Sequence, residues 1–131
     1  MAVLTINRIT ELGLTGSLEG CATGGDSFLN SGIEFIRVVN DHASQAYNVT
    51  ITAQSVSFTH GAYGAVTKEN VVKQVSAGQT AFFGPFKQRA FNDANEYVQL
   101  TYLTTGGAAL STIGGASTHL LKVEVLYLDQ N

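Results

Sequence analysis

Charge is what this chain has least of. Asp, Glu, Lys and Arg together make up 13% of its 131 residues, about half the share usual in globular domains. Thr, Ser, Gly, Asn and Gln stand in their place, so the surface is polar but hardly ionic. Such a surface suits either a small β-domain with a Thr/Ser-rich exterior or one largely covered by other protein, since charge is depleted in interface cores. The basic residues, Arg8, Arg37, Lys68, Lys73, Lys87, Arg89 and Lys122, are scattered, and the formal net charge is −3. They form no stripe that could neutralise phosphates, which argues against nucleic acid as a partner.

Other absences narrow the field further. One cysteine, Cys21, excludes an internal disulfide and a Cys-based zinc cluster. No run approaches the ~18 apolar residues of a membrane helix, so no membrane partner is expected. The opening MAVLTINRITELGLTG has no basic segment followed by a continuous apolar one, so no secretory leader is expected. The sequon Asn48-Val49-Thr50 then reads as strand sequence. No segment carries a helical stripe longer than two turns, although TELGL at residues 10–14 could begin a short helical turn.

What is present repeats with a period of two. Tyr47, Val49, Ile51 and Ala53 alternate with Asn48, Thr50 and Thr52; Val98, Leu100 and Tyr102 alternate with Gln99 and Thr101; Leu121, Val123, Val125 and Tyr127 alternate with Lys122 and Glu124. Each reads as a half-buried strand, apolar in and polar out. Ala2, Leu4 and Ile6, residues 33–40 (IEFIRVVN), 71–75 and 80–86 extend the series, with a turn at 76–79. The expected fold is all-β: one antiparallel β-sandwich over residues 1–131, jelly-roll-like or immunoglobulin-like, of about eight strands with long Gly/Ser/Thr loops.

Three connections exceed what a hairpin needs: residues 16–32, 55–66 and 104–118. Each carries apolar residues among its glycines, namely Leu18 and Phe28, Phe58 and Tyr63, Leu110 and Ile113. Loops of this length are usually functional or disordered, and their apolar content favours ordering against a neighbour.

The chemistry-bearing residues make no motif. His42, His60 and His119 stand apart and show no metal-ligand spacing. Asp26, Glu34, Asp41, Asp93 and Glu96 flank strand ends, and Asp93 and Glu96 in FNDANEY read as turn formers. GGDSFLNSG is not the GxSxG elbow, and nothing resembles a phosphate loop. No catalytic residue, no metal and no cofactor is expected. The densest feature is aromatic instead: AFFGPFKQRAF, residues 81–91, holds four of the seven phenylalanines and the only proline. Extended to Phe86, it would send Phe82 and Phe86 to one face and Phe83 and Pro85 to the other. One pair would enter the core and the other a subunit contact. The preferred assignment gives Phe83 and Pro85 to the contact.

Two phrases, GGDSF-x-N-x-G-x-EF at residues 24–35 and AG-x-T-x-x-x-GPF at 77–86, with AYNVTITA, the AFND turn and VQLTY between strands, resemble the small β-sandwich virion proteins of tailed bacteriophages, in particular capsid decoration (cement) proteins. The resemblance implies a non-enzymatic structural protein, made in the host bacterial cytoplasm and placed on the capsid outer surface. Its partners would be itself, as a homotrimer, and the major capsid protein. Residues 1–14 would act as an N-terminal contact arm. The interface residues expected, from their position and apolar content, are Leu4, Ile6, Phe28, Phe58, Tyr63, Phe83, Pro85, Leu110 and Ile113. The alternative is a tail- or fibre-associated module that stacks glycans on tyrosines such as Tyr63.

Overall fold

The computed structural model describes residues 2–54, 58–60, 64–66, 68–107 and 120–129, and for 58–60 and 64–66 the backbone alone. In chain order the strands are β1 (Ala2–Val3), β2 (Ile6–Ile9), β3 (Glu19–Gly20), β4 (Asp26–Leu29), β5 (Phe35–Asn40), β6 (Tyr47–Ile51), β7 (Phe58–His60), β8 (Gly64–Val66), β9 (Val71–Val75) and β10 (Thr80–Phe83). One helical turn, α1 (Gln88–Phe91), precedes β11 (Tyr97–Thr104) and β12 (Leu121–Leu128).

Two five-stranded sheets carry the fold. The first runs β1-β4-β11-β6-β9; the second runs β10-β5-β12-β2, with β3 pairing the start of β12. The β7–β8 hairpin stands apart and occupies part of the stretch expected to be loop. The strands that read as alternating do alternate: Val98, Leu100 and Tyr102 face Val49 and Ile51 inside the first sheet, and Ile36, Val38, Val123 and Val125 line the inside of the second. All of them belong to one buried cluster, so the two sheets close on a shared core as a β-sandwich.

The sheets are mixed, not purely antiparallel. The N-terminal stretch, expected as one strand, is split between them: β1 lies parallel to β4, and after a crossing at Leu4, β2 lies parallel to β12. One short extended segment serves both sheets, and its neighbours β4 and β12 both run in its direction. The stretch expected to be a contact arm is thus woven into the sandwich as far as Ile9. TELGL forms a turn rather than a helix start, with Gly13 donating to the Thr10 carbonyl (2.9 Å) and standing at φ +88°. From β4 to β6 and from β9 to β12 the chain changes sheet at every step; β6 and β9, on either side of the β7–β8 hairpin, share one.

AFFGPF resolves differently from the strand reading. The strand ends at Phe83, so Ala81 and Phe83 point in and Phe82 points out, 63% exposed. Gly84 then turns the chain at φ +115°, so close to β5 that an added Cβ would stand 3.1 Å from Phe35 Cα. The Gly84–Pro85 peptide is cis. Beyond it Phe86 re-enters the core. Neither expected pairing survives, because the period of two stops where the chain bends: Phe83 and Phe86 are inside, Phe82 and Pro85 outside.

Candidate functional site

The phrases that carry the resemblance meet at one place, and Asn30 is its hub. Its side-chain amide donates to the Phe86 carbonyl (3.0 Å) and to Asn92 Oδ1 (2.7 Å), while its Oδ1 accepts the Gly32 amide (3.0 Å). Asn92 and Gln88 donate back to the Asn30 carbonyl at 2.9 and 3.2 Å. Beside this network Phe86 packs on Phe28 and Phe91, with ring centroids 5.9 and 5.5 Å apart. Buried polar groups persist where they are fully bonded. These segments thus brace the loop after β4 against the turn after β10 and against α1. They build the frame.

A second buried cluster joins the two ends of β4 and β11. Asp26, wholly buried, accepts from the Tyr102 hydroxyl (2.8 Å) and the Ala22 amide (3.2 Å) through Oδ2, while its buried Oδ1 has no hydrogen-bond partner. Burial pushes the Asp26 carboxyl above the ordinary range, only partly offset by those bonds. Burial also pushes up the Cys21 thiol, which bonds Tyr102, and the Tyr102 hydroxyl itself. All three groups are driven toward their neutral forms, so Cys21 offers no thiolate for nucleophilic chemistry.

Asp93, Glu34 and His42 are occupied by local structure, and Asp41 pairs with Lys122 (3.2 Å). Asp93 accepts the Asn95 and Tyr97 amides (2.8 and 3.0 Å) and the Gln99 side chain (2.6 Å), bonds that lower its pKa and close the FNDANEY turn. Glu34 accepts the Ser31 amide and hydroxyl at 2.8 and 2.7 Å. His42 Nδ1 accepts the Gln45 amide (3.1 Å). Among the described residues no three His, Cys, Asp or Glu side chains gather as a metal-ligand group. His119 lies outside the described residues. Of the tyrosines, Tyr47 and Tyr102 are core, as their alternation implies, and Tyr97 and Tyr127 are half-buried.

The expected interface residues part company. Leu4, Phe28 and Phe83 are buried in the chain's own core and can meet no partner as the fold stands. Leu4 fills the crossing between sheets, Phe28 the aromatic stack, and Phe83 the inner face of β10. Ile6 is half-buried against the core and Pro85 is exposed. Phe58 lies in β7, described by its backbone alone; Tyr63, Leu110 and Ile113 lie outside the described residues.

Apolar area is exposed on both sheets, with Val3, Leu29, Val72 and Leu103 on the first; on the outer face of the second it is aromatic. Phe82 stands there beside the half-buried Phe35, with Leu14 and Leu126 across a shallow groove. Its floor holds an ion pair between Arg37 and the buried Glu124, whose second oxygen accepts the Ser17 amide (2.8 Å). That strap passes so close that a Cβ on Gly16 would meet Arg37 Nη2 at 3.0 Å. Both charges of the floor are thereby neutralised, leaving the rim aromatic and aliphatic. Phe82 escaped the sequence reading, yet Thr80 signalled it: counting by twos from that polar residue puts Phe82 on the solvent side.

Compared with protein-family models, curated proteins and solved structures, the chain matches none.

Proposed function

We propose that this chain is a non-enzymatic structural protein of a phage virion that binds and stabilises the capsid exterior. The observation that carries the reading is the outer face of the second sheet, where Phe82 is 63% exposed over a floor whose charges are already paired. An apolar patch with a neutralised floor suits a protein surface, since neither partner must strip water from an unpaired ion. Low overall charge supports the same reading. The resemblance of residues 24–35 and 77–86 supplies the kind of partner, the major capsid protein. A protein that binds the assembled shell and not its free subunits lowers the free energy of the shell by mass action. Several weak contacts suffice when copies act together. The contact formerly assigned to Phe83 passes to Phe82 and Pro85.

Co-sedimentation with expanded capsids tests this. Wild-type protein is expected to pellet with the shells and raise their disruption temperature, and Phe82→Asp to stay folded but pellet far less. Failure of the wild-type protein to pellet with shells of the phage that encodes it would sink the reading.

A further inference from the structure

The edge strands of the two sheets differ in how they are guarded, and among the described residues β10 is guarded by no charge. An edge strand offers a row of unpaired N–H and C=O groups, which proteins blunt with charge, proline or brevity. β9 carries Lys73, β2 carries Arg8, and β1 is two residues long. β10 shows solvent only Thr80 and Phe82. Its neighbour Arg37, opposite Phe82 on β5, is held by Glu124.

The direction of its free groups follows from the ladder. The Asn40 amide donates to the Gln79 carbonyl (2.9 Å), and the register sets Ala81 against Val38 and Phe83 against Ile36. Peptide groups alternate sides along a strand, so Thr80 and Phe82 turn theirs away from β5. We propose that β10 is a self-association edge, pairing antiparallel with β10 of a second copy about a two-fold axis at Ala81. Opposed residues share a face, which allows only registers that set outward side chains against outward ones. Centring on Ala81 pairs Thr80 with Phe82 of the second copy on both sides of the axis, using every free group of those residues. Centring on Phe82 would call on Gly84, which has left the strand. The second copy is the occupant that charge favours: β10 meets itself without like charges, whereas β9 centred on itself would set Lys73 against Lys73.

The ladder is short and buries far less than the ~1,200–2,000 Å² of stable complexes, so the dimer forms at high local concentration, as on a crowded shell. The inference concerns only how two copies meet and stands apart from the capsid reading; shell binding and copy pairing are measured separately, and either can fail alone.

Cross-linking decides it. Thr80→Cys and Phe82→Cys chains are mixed under mild oxidation; both positions are exposed, and Cys21 is wholly buried. In the proposed register the two cysteines face each other with Cα atoms about 5.5 Å apart, inside the span of a disulfide. Like positions sit diagonally, roughly 7–8 Å apart, beyond it. The mixture is expected to reach twice the 13.9 kDa chain mass several-fold faster than either variant alone, and wild-type mass by light scattering to rise toward two chains near millimolar concentration. Equal rates in all three samples would overturn the pairing, as would a wild-type mass that levels at one chain or at three.

Discussion

β9 and β10 are joined by one turn and border one cleft, yet they end their sheets in opposite ways. β9 is five residues long and shows Val72, Lys73 and Gln74 to solvent. Its lysine would have to be stripped of water before another strand could dock flat against it. β10 is four residues long, shows Thr80 and Phe82, and then stops at Gly84 and Pro85. Length guards β10 weakly and charge not at all. Two edges with the same backbone chemistry thus have different fates, set by one side chain each.

The strongest way to break the comparison is to exchange inside for outside on β10 itself. Phe83 is 7% exposed and belongs to the core; Phe82, one residue earlier, is 63% exposed. Phe83→Ala is expected to cost about 3–5 kcal/mol of stability, and Phe83→Asp to abolish folding, because a carboxylate would replace a buried ring. Phe82→Asp is expected to shift stability by less than about 0.5 kcal/mol. Urea unfolding of the three variants checks this, and equal losses at the two positions would refute the inside–outside assignment. Next in size comes the brace that holds the end of β10. Asn30→Ala leaves the Phe86 carbonyl and Asn92 without their partner and is expected to cost about 1–3 kcal/mol. Asn30→Asp should not restore it, since the lost donor is the amide.

How much of this was legible depends on the range of the interaction. The alternation of Tyr47 to Ile51 and of Val98 to Tyr102 is written in consecutive residues, and the sandwich follows from it. Strand order is not written there, because nothing local tells Val125 that its parallel neighbour is Ile6, more than a hundred residues away. The aromatic stretch shows the boundary well. Period two fits from Thr80 to Phe83 when counted from the polar end, the reverse of the preferred assignment of Phe82 and Phe83; past Gly84 it fails, since that glycine's close approach is to Phe35, forty-nine residues upstream. Leu4 looked like a contact residue because it lies near the N-terminus, and Phe28 because it lies in a long Gly-rich connection. Tertiary packing filled the core with them. Asn30 was invisible as a hub for the same reason: its partners lie fifty-six to sixty-two residues away.

A smaller effect separates the buried carboxylate from the exposed ones by sign. Asp26 has its pKa raised by burial, so the folded state holds its proton more tightly than the unfolded chain does. Its contribution is fully present below the ordinary carboxylate pKa and is lost as pH rises through the raised one. Asp93 is shifted down by its turn amides, so its contribution is present above the ordinary pKa and lost as pH falls. Asp26→Asn keeps an acceptor for the Tyr102 hydroxyl and removes the titration. Plotted against pH from 2 to 8, the wild-type urea midpoint minus that of Asp26→Asn is expected to fall as pH rises above the ordinary carboxylate pKa, and the same difference for Asp93→Asn to rise mainly at and below that pKa. A difference for Asp26→Asn that rises with pH would show that its carboxylate is stabilised in the fold.

The smallest expected change in stability gives the sharpest reading of the comparison. Lys73→Thr removes the one charge from the exposed run of β9 and introduces a β-branched side chain suited to a strand. Lys73 is exposed and forms no ion pair among those described, so the fold should lose or gain less than about 0.5 kcal/mol. Association is what should move. If charge is the guard, this variant acquires a second sticky edge, and chains that already pair through β10 can now extend from both sides into higher species. Combining it with Phe82→Pro, which withdraws an edge N–H that the β5 ladder does not use, should leave dimers held by β9 alone. Light scattering of the single and double variants at equal concentration reads this directly. A Lys73→Thr protein whose mass matches the wild type at every concentration would mean that the lysine guards nothing, and that β9 is kept apart by the twist and exposure of its backbone instead.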